Sequence, residues 1–127
     1  MTRQIISTDR APASPLYSQG VRSGSTIHVS GMVGIDVSTQ ELAGDTIQQQ
    51  TAQALRNCGF VLDAGGATLD DVVHVTVLIA NPADFDGMNE AYAEVFATDP
   101  PARAVARFGP EIPNVLVSVM MTAHVEG

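Results

Sequence analysis

Arg103 is the one charged side chain in the run Pro100-Pro101-Ala102-Arg103-Ala104-Val105-Ala106. A guanidinium in such company must reach water or meet an anion, because leaving it buried and unpaired is too costly. Its planar fork of N–H donors matches a carboxylate, which it grips through two parallel hydrogen bonds. Two plainer outcomes fit the same residues: an internal salt bridge to one of the 14 acidic residues, or a solvated arginine at a sheet edge. The other reactive side chains lack suitable company. Cys58, the single cysteine, falls on the apolar side of a helical stretch, where free thiols pack as small hydrophobes. His28, His74 and His124 sit singly in strand-like segments, without a paired carboxylate to form a dyad. No metal-ligand spacing links them to Cys58, so no metal site is expected.

Composition narrows the chemistry further. The net charge is −8, and all six basic residues are arginines: Arg3, Arg10, Arg22, Arg56, Arg103 and Arg107. With no lysine, a side-chain Schiff base or a lysine-held pyridoxal cofactor is ruled out, and no organic cofactor is expected. Scattered arginines on an acidic chain make no patch for a phosphate backbone, so nucleic acid is not an expected partner. No apolar run approaches the roughly 20 residues a membrane helix needs. The opening residues MTRQIISTDRAPAS lack the apolar core of a secretory signal, which makes the cytoplasm the expected location.

A length of 127 residues suits a single domain over 1–127. Gln4–Ser7 reads as a weak first strand. Gly20–Ser23 and Thr26–Ser30 read as a hairpin turning at Gly24-Ser25. Residues 31 to 45, rich in Gly, Ser, Thr and Asp, read as a loop. A helix is predicted from Asp45 or Thr46, capped there and answered by Gln48 or Gln49, with an apolar stripe of Ile47, Ala54, Leu55, Cys58 and Leu62. Gly65-Gly66 ends it. A strand follows at Val72–Ala80. Then Asn81-Pro82-Ala83-Asp84 opens a second helix, with Phe85, Met88, Tyr92, Val95 and Phe96 as its stripe. The last strands are a short one around Arg103 and Val115–Ala123.

The order β-β-β-α-β-α-β-β describes an α+β fold, a single mixed sheet with two helices on one face. Both faces of its strands are largely apolar. Val115–Ala123 alternates Val115, Val117, Val119, Met121 and Ala123 with Leu116, Ser118, Met120 and Thr122. Val72–Ala80 alternates Val73, Val75, Val77 and Ile79 with Val72, His74, Thr76 and Leu78. Two helices cover only one side, and a solvated side should be plainly polar. Copies of the chain are therefore expected to cover the other, in a cyclic homo-oligomer with inward-facing sheets.

Taken with three further segments, the Pro-Ala-Arg end of the chain resembles the Rid family (YjgF/YER057c/UK114, also called endoribonuclease L-PSP). Those segments are Pro15-Leu16-Tyr17-Ser18-Gln19-Gly20, Val29-Ser30-Gly31, and Asp84-Phe85 with Met88-Asn89-Glu90-Ala91-Tyr92 to Phe96. The resemblance spans nearly the whole chain. It implies a chorismate-mutase-like (bacillus-type) fold, a homotrimer and sites in the clefts between subunits. It also implies hydrolysis of reactive 2-imino or enamine acids to 2-keto acids and ammonia, as in 2-iminobutanoate/2-iminopropanoate deaminases. On this pattern Arg103 anchors the substrate carboxylate, and Tyr17, Ser30, Gly31, Asn89 and the backbone of Val105 line the cleft. For Tyr17, Ser30 and Asn89 the ordinary roles of a packed loop ring, a strand-end hydroxyl and a helix-surface amide stay open.

Among the departures from the family pattern, one bears directly on the chemistry. Active members carry a glutamate fifteen residues beyond the arginine, where it orients the attacking water; here that position is Ser118. A hydroxyl can hold a water but is no base near neutral pH. The family's frequent cysteine two residues after the arginine is Val105, and its usual glutamine after Ser-Gly is Met32. Glu111, in the turn before the last strand, is the one nearby acid that offers a substitute. Two readings follow: a deaminase with Ser118 in the catalytic set, or a non-catalytic trimer that binds small carboxylates.

Overall fold

The computed structural model describes residues 2–126. Its strands are β1 (Gln4–Ile6), β2 (Gly20–Ser23), β3 (Thr26–Val33), β4 (Ile35–Asp36), β5 (Glu41–Leu42), β6 (Val72–Ile79), β7 (Ala102–Arg107) and β8 (Val117–His124). Its helices are α1 (Ile47–Ala64) and α2 (Phe85–Val95). Six strands form one mixed sheet in the order β1-β2-β3-β8-β6-β7, antiparallel except for the β6–β7 pair. That parallel pair needs a crossover, and α2 supplies it.

Local chemistry sets the helix ends as the sequence suggests. The Thr46 hydroxyl accepts from the Gln49 N–H, and the Gln49 side chain answers the Thr46 N–H, closing a capping box. Gly66 takes φ +88°, a left-handed turn that suits glycine as the chain leaves α1. Asn81 caps a single 3-10 turn over Pro82–Asp84, and only then does α2 begin. Both helices lie on the same side of the sheet. Leu55, Cys58, Val61, Leu62 and Met88 pack there on Ile27, Met32, Val75, Val77, Val117 and Val119, all buried. Burying a side chain of this kind contributes about 1.5–3 kcal/mol, so this layer carries most of the stability.

Three details differ from the sequence reading. The stretch read as loop 31–45 continues β3 to Val33 and then folds into the small β4–β5 hairpin. The final strand starts at Val117 rather than Val115 and runs to His124. In β6 the simple alternation fails. A register shift between Val72 and His74 turns Val72 into the core and leaves Val73 51% exposed. Such an irregularity moves a residue to the opposite face without changing its type, so alternation alone places it wrongly.

The second face of the sheet carries no helix. Pairing registers place Ile5, Val21, His28, Ser118, Met120, Thr122, His74, Thr76, Leu78, Ala102, Ala104 and Ala106 on it. No aspartate, glutamate or arginine stands among them. Met120 is 44% exposed in the single chain.

Candidate functional site

Arg103 lies on β7, an edge strand paired only with β6. Its register partner Val75 is fully buried beneath the helices, so Arg103 projects on the helix side. There α2 presents Phe85, Asn89 and Tyr92, spaced four and three residues apart and hence on one helical face. Arg103 Nη1 donates to Asn89 Oδ1 at 2.7 Å. Its Cζ stands 4.7 Å from the centre of the Tyr92 ring and 6.0 Å from that of Phe85. Aromatic faces attract the cation without neutralising it. The internal salt bridge does not form: among the described residues the one ion pair is Arg10–Asp63, at 2.7 Å. Arg103 is therefore oriented by a neutral amide and two rings, exposed, with its charge still available.

The strand edge adds donors beside it. The Phe108 N–H donates to Ile79 O at 2.8 Å, continuing the ladder. In a parallel pair, alternate residues turn both backbone groups toward the neighbouring strand. Ala102, Ala104 and Ala106 thus face β6, whereas the N–H groups of Arg103 and Val105 point off the open edge. Guanidinium and edge amides together make a pocket rim that suits an anion. Below it the Tyr92 hydroxyl is buried with no hydrogen-bond partner. Burial raises the pKa of that phenol, and the neighbouring Arg103 charge pulls it part of the way back.

The remaining residues assemble elsewhere. Between Val29 and Met32 the β3–β8 register slips by one, so Ser30 and Gly31 together oppose Met120 in a bulge. Gly31 sits against Ser118: a Cβ on it would lie 2.9 Å from Ser118 Oγ. The Ser30 hydroxyl donates to Ser18 O at 2.5 Å, and the Ser30 N–H donates to Gln19 O at 2.9 Å. These bonds tie the bulge to the loop that carries Tyr17. Tyr17 is 46% exposed and lines an open cleft of about 780 Å³ with Ser14, Ser18 and Gln19. Glu111 stays exposed in its turn, in a separate cleft with Arg107 and Phe108.

Two groups therefore form. Arg103, Asn89 and the Val105 edge make one; Ser30, Gly31 and Ser118, with Tyr17 at the adjoining loop, make the other. From β7 across β6 and β8 to β3 is three strand spacings, roughly 14 Å. Arg103 also points to the opposite face of the sheet from Ser118. One small molecule cannot touch both within a single chain.

Three buried amides that hold the second group are not singled out by the sequence reading. Gln19 accepts from the Thr8 N–H at 2.7 Å and donates to Thr8 O, Ala11 O and Pro12 O, which fixes the Tyr17 loop. Gln50 accepts from the Leu116 N–H and donates to Asn114 O and Gly44 O. Asn57 donates to Val33 O and Ile35 O, just past the bulge. A signal exists for the last two, because Gln50 and Asn57 fall in phase with Ile47, Ala54 and Val61 on the buried stripe of α1. A polar residue on such a stripe must be satisfied by something, and here loop backbone satisfies it.

Cys58 is fully buried, 3.4 Å from Val119 O, and burial pushes its thiol far from ionisation. His28, His74 and His124 lie on strands of the helix-free face, and no cluster of three metal-binding side chains occurs among the described residues. Among the described residues, no helix is long and apolar enough to cross a membrane.

Comparison with known proteins matches residues 8–125 to the family described as Endoribonuclease L-PSP. A RutC family protein of Saccharolobus solfataricus is 37% identical over 96% of this chain and 98% of its own. The human 2-iminobutanoate/2-iminopropanoate deaminase is 41% identical over 82% of this chain and 77% of its own. Among solved structures, E. coli TdcF with bound serine superposes with a TM-score of 0.89 at 29% identity, covering 97% of this chain and 99% of that one.

Proposed function

The chain belongs to the endoribonuclease L-PSP, or Rid, family, and from that premise we propose that it hydrolyses small 2-imino or enamine acids. The proposal takes the chain as one Rid-like domain that works in the cytoplasm as a homotrimer. The observation that carries the reading is an exposed guanidinium left un-neutralised in a chain of net charge −8. A small carboxylate is the complement it lacks.

The two residue groups explain why assembly matters. Arg103, Asn89 and the edge amide of Val105 hold the carboxylate. A neighbouring copy, docked on the uncharged face, brings Tyr17, Ser30, Gly31 and Ser118 to the other side of the ligand. Holding the imine carbon between these walls turns attack by water into a positioned, near-unimolecular step. Water adds to the protonated C=N bond, and a proton passes from the new hydroxyl oxygen to nitrogen. The C–N bond then breaks, so iminium acid and water yield 2-keto acid and ammonium. Ser118 and the Gly31 backbone orient the water by hydrogen bonding. Without a carboxylate at Ser118 the chain lacks the general base worth about 10²–10⁴-fold in such steps.

A second reading, binding of small carboxylates without turnover, draws its support from Ser118 alone. Ammonia release from enzymatically generated 2-imino acids separates the two. The deaminase reading expects wild type to speed release and Arg103→Ala to reduce kcat/KM at least tenfold, the effect of losing about 1.5–3 kcal/mol of charge-assisted bonding. No acceleration with any imino acid, beside saturable 2-keto acid binding, leaves the binding protein standing. Ser118→Glu should then install activity, with a new acid limb at pH 4 to 5 where a glutamate ionises.

A further inference from the structure

Arg107 has no role in the reading above, although it repeats the features that mark Arg103. It lies on the same strand and projects to the same face, because its register partner Ile79 is buried beneath the helices. It is exposed and pairs with no acid among the described residues. Glu111 lines the adjoining cleft without bonding to it. Beside Arg107 lies a cavity of about 440 Å³ lined by Ile79, Pro82, Phe85, Val105, Ala106 and Arg107. Phe85 belongs to both neighbourhoods, since its ring also sits under the Arg103 guanidinium. Through Phe85 the cavity thus adjoins the proposed carboxylate anchor, and it runs over apolar side chains to a second cation.

Resting on the proposed function, we propose that Arg107 is a specificity-determining residue that selects ligands with a second, terminal carboxylate: 2-imino and 2-keto dicarboxylic acids. Four residues of strand set the two Cα atoms roughly 13 Å apart. Two arginine side chains leaning inward reduce that gap to one a short dicarboxylate bridges. The 2-carboxylate lies on Arg103, the methylene spacer on Val105 and Phe85, and the terminal carboxylate on Arg107. A monocarboxylate fills the apolar part and leaves Arg107 in water, so discrimination comes from one charge-assisted contact at the far end.

Calorimetry on the assembled protein tests this with 2-oxoglutarate and 2-oxobutanoate as probes. Wild type should bind the diacid about tenfold more tightly, the ratio one such contact supports at a partly exposed site. Arg107→Gln should erase that ratio and leave 2-oxobutanoate unchanged, while Arg107→Lys should restore part of it. Arg103→Ala should weaken both probes. If Arg103→Ala weakens both but Arg107→Gln leaves the ratio intact, the role of Arg107 is overturned and the anchor survives. If Arg103→Ala weakens neither, the anchor itself falls and this inference with it. Failure of wild type to bind 2-oxoglutarate at millimolar concentration also overturns it.

Discussion

The two faces of the sheet solve different problems. On the helix face, side chains interlock with α1 and α2, and at its rim Arg103 rests on an aromatic shelf with an amide to aim it. The other face offers Ala, Thr, His, Leu, Met and Ser with no fixed charge at all, in a chain where 16% of residues are charged. Charge has been kept off a surface that no part of the same chain covers. The helix face makes the fold, and the bare face is suited to a partner. The candidate site lies where these regimes meet, which is why its residues divide between them.

Substitutions should separate the regimes. Leu55→Ala opens a cavity under α1 and should lower stability in urea unfolding by about 2–5 kcal/mol. Met120→Asp should scarcely change unfolding of the protomer but should break assembly, since burying an unpaired charge at an interface costs roughly 3 kcal/mol or more. Sedimentation at micromolar concentration would then show the 13.3 kDa chain in place of the proposed trimer. Gln50→Leu leaves the Leu116 N–H and Asn114 O without partners and should cost about 1–3 kcal/mol. It should also weaken keto-acid binding through the displaced Ser118 strand.

The smallest effect belongs to Tyr92, whose hydroxyl is buried and unpartnered. Tyr92→Phe should hold or slightly raise stability, by up to about 1 kcal/mol, because an unsatisfied group is removed. The folded protein raises the phenol's pKa above 10.0 through burial, offset in part by Arg103. The unfolded chain therefore ionises first as pH climbs. Tyr92 contributes its full share below pH 10 and loses it as pH rises through the folded value. Alkaline unfolding of Tyr92→Phe should accordingly start later than that of wild type.

Much of this was legible in the residues. A lone arginine among alanines stood out as needing water or an anion, the periodicities laid out the element order, and two apolar strand faces served by only two helices exposed the uncovered side. The misses share a cause. Val72 changes face at a register shift, and Ser30-Gly31 bulges out of its ladder; neither event alters the local run of residue types. Gln50 and Asn57 look like surface amides until the buried stripe of α1 is drawn through them, and their partners lie up to 66 residues away. Arg107 read as one more scattered cation because its kinship with Arg103 depends on both standing on one side of one edge.

Subunit mixing tests most directly whether two copies build the site. Arg103→Ala disables one half, and Gly31→Val disables the other by driving a side chain into Ser118. Each variant alone should lose 2-keto acid binding. After the two are dissociated together and reassembled, hybrids carry interfaces with an intact Arg103 facing an intact Gly31, and binding should return. If subunit exchange is verified and binding stays absent, or if Arg103→Ala binds normally by itself, the shared site is contradicted.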